Sequence, residues 1–138
     1  MEQTTAVEYK WDTSMKTGSP EVDQQHMELI RQLNLLLHAL EQGAGEQQVD
    51  ELLNFLSTYV VEHFKFEEEL MDRNRCPIAQ ANKNAHVEFI NKLKAFRAQV
   101  ESQSASKTVV AIQVLRELSN WLINHIRKID AQLQNQLP

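Results

Sequence analysis

Apolar residues recur at helical spacing along most of the chain. From Pro20, Val22, Leu29, Ile30, Leu33, Leu36, Leu37 and Leu40 fall on one face of a helix, and His26 lies on the same stripe. Ser19-Pro20 has the form of an N-cap followed by proline in the first turn, and Gly43-Ala44-Gly45 closes the segment. A second helix carries Val49, Leu52, Leu53, Leu56, Val60, Phe64 and Met71, with His63 and Glu67 in the stripe. Asn74-Arg75-Cys76-Pro77 ends it, because proline disfavours helix for the residue before it. The third reads Ala85, Phe89, Leu93, Phe96 and Val100, with Asn82 and His86 on its inner side. A Ser-rich link, with an N-cap at Ser104 or Ser106, leads to a fourth: Ala111, Val114, Leu118, Trp121, Leu122, His125, Ile129 and Leu133. Residues 1–19 show no sustained period; Trp11, Met15 and Gly18 predict an ordered arm packed on the domain. The prediction is all-α, an antiparallel up-down-up-down four-helix bundle. A single domain spans 1–138, with the arm at 1–19 and the bundle at 20–138.

Composition narrows this picture. The chain has 138 residues, enough for one core. A formal net charge of -5 argues against a general nucleic-acid partner. No apolar run approaches the roughly 18 residues of a membrane span, so no membrane insertion is expected. The start, Met1-Glu2-Gln3-Thr4-Thr5, lacks the basic and apolar stretches of a secretory signal. The single cysteine, Cys76, cannot form an internal disulfide, which suits a reducing compartment. A cytoplasmic location is the expectation.

The histidines add chemistry. In an up-down-up-down bundle, His26 lies near the start of the first helix and His63 near the end of the second. His86 lies near the start of the third, and His125 in the later half of the fourth. Alternating directions bring all four to one end. Glu67 stands four residues after His63, so both side chains reach one point. Asp130 follows His125 by five residues, about 140° away on an ideal helix, so it must reach across or follow a local bend. Buried imidazoles and carboxylates need partners, and several converging at one level point to a metal. His38 is about 18 Å along the helix from His26 and cannot join them. No Glu-x-x-His, His-Glu-x-x-His, glycine-rich phosphate loop or Gly-x-Ser-x-Gly elbow occurs.

These residues resemble the hemerythrin family, in its bacterial branch. The matching pieces are Trp11-Asp12-Thr13-Ser14-Met15 with Gly18, Val22-Asp23-Gln24-Gln25-His26, and His63-Phe64-Lys65-Phe66-Glu67-Glu68-Glu69-Leu70-Met71. His86-Val87-Glu88-Phe89 and Trp121-Leu122-Ile123-Asn124-His125 with Asp130 complete the set. The resemblance implies two non-haem Fe ions, bridged by an oxo or hydroxo group, that bind O2 reversibly. In that family pattern Glu67 and Asp130 bridge the irons, His26 and His63 serve the iron that accepts O2, and His86 and His125 serve the other. Phe64, Phe66, Phe89 and Trp121 are expected to pack around the centre and keep it dry.

The chain departs from the pattern at one position. The family carries His-x-x-x-His on its third helix; here the run is Asn82-Lys83-Asn84-Ala85-His86. Asn82 either binds through its carbonyl oxygen, or holds a water ligand, or leaves one iron or none in the pocket. Carriage or storage of O2, O2 or redox sensing, peroxide or nitric-oxide chemistry at a more open site, and a metal-depleted bundle remain the alternatives.

Overall fold

In a computed structural model that describes residues 8–102 and 106–137, four helices account for most of the chain. They are α1 (Pro20–Glu41), α2 (Gly45–Arg73), α3 (Ala79–Ser102) and α4 (Lys107–Lys128), and there is no strand among the described residues. Each helix packs on its neighbours in sequence, and α1 closes the ring against α4. The apolar stripes meet in one core: Leu29, Leu33 and Leu36 from α1, Leu52, Leu56 and Val60 from α2, Phe89, Leu93 and Phe96 from α3, and Val114, Leu118 and Leu122 from α4. Burial at about 25 cal/mol per Å² of apolar surface makes this face the main source of stability.

The helix ends follow local chemistry. Ser19 is the N-cap of α1, its hydroxyl accepting from the Val22 amide at 3.3 Å, with Pro20 in the first turn. Gly43 takes φ 78°, a conformation that side chains disfavour, and turns the chain between α1 and α2. Gly45 already belongs to α2, so only the first of the two glycines forms the turn. At the far end of α2, Asn74 is the C-cap and Arg75 takes φ 51° just before Cys76-Pro77. Ser106 occupies the N-cap position of α4 without a side-chain hydrogen bond, and Ser104 lies outside the described residues.

One segment differs from its sequence pattern. The apolar period of α4 continues to Leu133, yet the helix stops at Lys128. Ile129 has φ -112° and ψ -60°, and a 3-10 turn, Asp130–Asn135, follows. The bend keeps Leu133 buried in a small second cluster with Met71 and Cys76. It also re-aims Asp130, which would otherwise point away from the side that His125 faces.

The arm is ordered over its described part, 8–19; residues 1–7 of the expected arm lie outside the described residues. The Asn34 side chain mimics a strand partner for it. Tyr9 N–H donates to Asn34 Oδ1 and Asn34 Nδ2 donates to the Tyr9 carbonyl, both at 2.9 Å. Ser119 on α4 donates to the Tyr9 hydroxyl at 3.1 Å. Farther on, Met15 is fully buried, and Thr17 donates both its amide and its hydroxyl to Asp23 Oδ1. Gly18, at φ 85°, lies against the 3-10 turn: a Cβ there would stand 3.3 Å from Gln134 Cα.

Candidate metal centre

All six sequence-predicted residues lie together and buried. His26 and Glu67 are fully buried, and His63, His86, His125 and Asp130 are 6% exposed or less. The level match across antiparallel helices therefore holds. Two groups of potential donors form, His26, His63, Glu67 and Asp130 in one and Glu67, His86, His125 and Asp130 in the other. Within each group the donor atoms lie within 4.8 Å of one another. Glu67 and Asp130 belong to both.

The two carboxylates divide their oxygens between the groups. Glu67 Oε2 is 3.2 Å from His26 Nε2 and 3.5 Å from His63 Nε2, whereas Glu67 Oε1 is 3.1 Å from His86 Nε2. Asp130 Oδ2 is 3.1 Å from His26 Nε2, whereas Asp130 Oδ1 is 3.2 Å from His125 Nε2. Donors about 2.1 Å from a first-row metal and at right angles to each other lie about 3.0 Å apart. The observed separations are close to that edge length. Glu67 Oε1, Asp130 Oδ1 and His86 Nε2 are buried with no hydrogen-bond partner, although other donors stand near them. Buried polar atoms are almost always paired. This set of atoms, facing one another without hydrogen-bond geometry, has the form of a shell of ligand atoms, and its N/O composition suits first-row metals.

Charge in the cage is divided unevenly. Burial pulls the His26 imidazolium down, but hydrogen bonds to Asp130 and Glu67 overcome this and raise its pKa to about 10. For His63 burial wins, and its pKa falls to about 3. His86 is raised: burial opposes its charge, but Glu67 and Glu68 prevail. Burial works against ionisation of Glu67, yet His26 and His86 hold it well below the usual carboxylate range. Asp130 goes the other way, raised first by burial and then by the negative charge of Glu67. Two buried carboxylates side by side call for positive charge between them.

The outer edges of the imidazoles are held in place. His63 Nδ1 lies 2.6 Å from Gln25 Oε1, and His86 Nδ1 lies 2.7 Å from Glu68 Oε2. Such partners fix the tautomer and leave Nε2 free as a donor atom. Phe64 stacks on His86 with ring centroids 3.7 Å apart, and Trp121 stacks on His125 at 4.5 Å. Phe89 packs on Trp121, also at 4.5 Å. Phe66, expected in the same wall, is only partly buried and instead lines a surface groove of about 260 Å³ with Gln25, Tyr59, Glu62 and His63. His38 stands apart as expected, partly exposed and bonded to Glu8 and Glu41.

Sequence reasoning did not identify Gln25 and Glu68. Gln25 serves a histidine on another helix, so spacing carries no signal of it. Glu68 was legible only as part of the acidic run Glu67-Glu68-Glu69, of which Glu69 is exposed.

A four-helix bundle with a buried histidine–carboxylate cage at one end defines a class of metal-binding helical proteins. A family model, the Hemerythrin HHE cation binding domain, matches residues 17–137, and the chain belongs to the hemerythrin family. It is similar to the bacteriohemerythrin of Pseudomonas paraeruginosa, 32% identical over 121 residues, covering 88% of this chain and 76% of the relative. The bacteriohemerythrin of Stenotrophomonas maltophilia is 31% identical over 127 residues, covering 92% and 80%. The myohemerythrin of Theromyzon tessulatum is 25% identical over 129 residues, covering 94% and 93%.

Proposed function

We propose that the chain is a non-haem di-iron protein that binds O2 reversibly, for carriage or storage, in a single domain. The observation that carries this reading is the oxygen-by-oxygen division of Glu67 and Asp130 between two histidine pairs. His26 and His63 would hold one iron, His86 and His125 the other, and the two carboxylates would span both. When bound, the iron pair supplies the two electrons of reversible O2 binding.

The chain's own residues set the conditions for that chemistry. Gln25 and Glu68 accept from the Nδ1–H of His63 and His86, turning Nε2 inward. Phe64, Phe89 and Trp121 wall off the cage and exclude water, which limits irreversible oxidation. The free, buried thiol of Cys76 supports a reducing, cytoplasmic setting for a bacterial protein.

The test is iron per chain in anaerobically purified protein, with visible spectra before and after O2 is added and removed. Two irons per chain and a reversible spectral change support the reading. Iron-free protein, or a change that removing O2 does not reverse, overturns it.

A further inference from the structure

The amide of Asn82 lies in the same cage. Asn82 is fully buried, and its Oδ1 is 2.9 Å from His125 Nε2. That same nitrogen also lies 3.2 Å from Asp130 Oδ1. A neutral imidazole has a single N–H, so it cannot serve two oxygens well, and both oxygens direct lone pairs toward one place. The spacing of 2.9 Å again matches the roughly 3.0 Å between neighbouring donors around a first-row cation.

In the absence of a cation Asn82 Oδ1 accepts from His125 Nε2, but that one bond accounts for only half of the buried amide. The Asn82 side chain is not needed at the helix start, because its own amide N–H already donates to the Ile78 carbonyl at 2.9 Å. Its Nδ2 has no hydrogen-bond partner, which is costly for a buried amide. A side chain placed only for hydrogen bonding would use both ends. A side chain placed for its oxygen needs only one. Asn82 stands four residues before His86 on α3, the separation that also lets His63 and Glu67 reach one point on α2.

We propose that Asn82 Oδ1 is a metal donor, so that the two halves of the cage are chemically unequal. This rests on the two-metal reading above. One half offers two imidazoles and two carboxylate oxygens. The other offers two imidazoles, two carboxylate oxygens and an amide oxygen, a set richer in hard donors. Each half therefore has its own affinity for a divalent first-row cation, and Asn82 sets that of the His86 and His125 half alone.

The test is an anaerobic Fe2+ titration by equilibrium dialysis of the full chain and its Asn82→Ala and Asn82→Asp variants, with helicity checked by circular dichroism. The wild type is expected to take two Fe2+ in two distinguishable steps. Asn82→Ala should keep one step unchanged and weaken the other at least about tenfold. Asn82→Asp, which keeps an oxygen in place, should restore the weakened step. His63→Ala in the Asn82→Ala background should then abolish the step that had stayed unchanged.

Two Fe2+ bound by Asn82→Ala as tightly as by the wild type would overturn the donor role while leaving the two-metal reading intact. Equal weakening of both steps would overturn it too, because that is the mark of a merely structural residue. A wild type that binds no Fe2+ would remove the two-metal reading and this assignment with it.

Discussion

At the scale of single residues, Glu67 stands between the two halves of the cage. It is fully buried, and its two oxygens face three histidines on three helices. Glu67→Ala removes a donor from both halves at once and should leave the purified protein with little or no bound iron by elemental analysis. Retention of two irons would sink the bridging assignment. Glu68 acts one step out, through His86 Nδ1 at 2.7 Å. Glu68→Ala should weaken one Fe2+ step by about 10–100-fold and spare the other, as loss of a ligand's orienting partner does. The same titration that tests Asn82 would show it, and a weakening shared by both steps would contradict the pairing. Five of the six cage residues were legible because each shares a helical stripe with core leucines or phenylalanines. Gln25 and Glu68 were not, because they approach their histidines from neighbouring helices and periodicity describes one helix at a time.

At the scale of elements, the break at Ile129 decides whether the cage closes. Periodicity carried α4 on to Leu133, since the bend preserves the burial of that side chain and leaves the apolar pattern unbroken. The placement of Asp130 was the weak point of the sequence pattern, and a change of helix type resolves it. The start of α1 and the ends of α1 and α2 were legible to within a residue or two, because Ser19-Pro20, Gly43 and Cys76-Pro77 constrain the backbone directly. The turn that presents Asp130 leans on Gly18, where φ is 85° and a Cβ would meet Gln134 Cα at 3.3 Å. Gly18→Ala should therefore lower the stability of the protein by more than about 1 kcal/mol, through backbone strain and displacement of that turn. Chemical denaturation measures the loss. Because the turn carries Asp130, iron content should fall with it, and an unchanged denaturation curve would show that the contact relaxes freely.

At the scale of the whole molecule, the arm and the cage occupy linked positions. The arm crosses α1 at Asn34, touches α4 at Ser119 and is held to α4 again by Asp12 and Arg127 at 2.9 Å. Near its described start, Glu8 meets His38 at 2.6 Å. That contact raises the pKa of His38 above 6.5, with Glu8 the main cause and Glu41 adding to it. A group whose folded pKa is raised contributes stability below its unfolded value and loses it as pH rises through the folded one. The clasp should thus hold the arm fully below about pH 6.5 and weaken above the raised value. An NMR titration of His38 should show a midpoint above the ordinary one that drops in Glu8→Gln. Iron content should not follow, since His38 lies outside the cage.

The chain order of the cage has a further consequence for how the protein is made. His26, His63 and Glu67 emerge first, and Asp130 arrives only after α3 and α4 have been added. At roughly 5–20 residues per second, that interval lasts several seconds. During it the nascent chain presents scattered imidazoles and no closed shell. A cation met during that interval would find an incomplete set of donors, and the full set would exist only once the turn after α4 lies against Gly18.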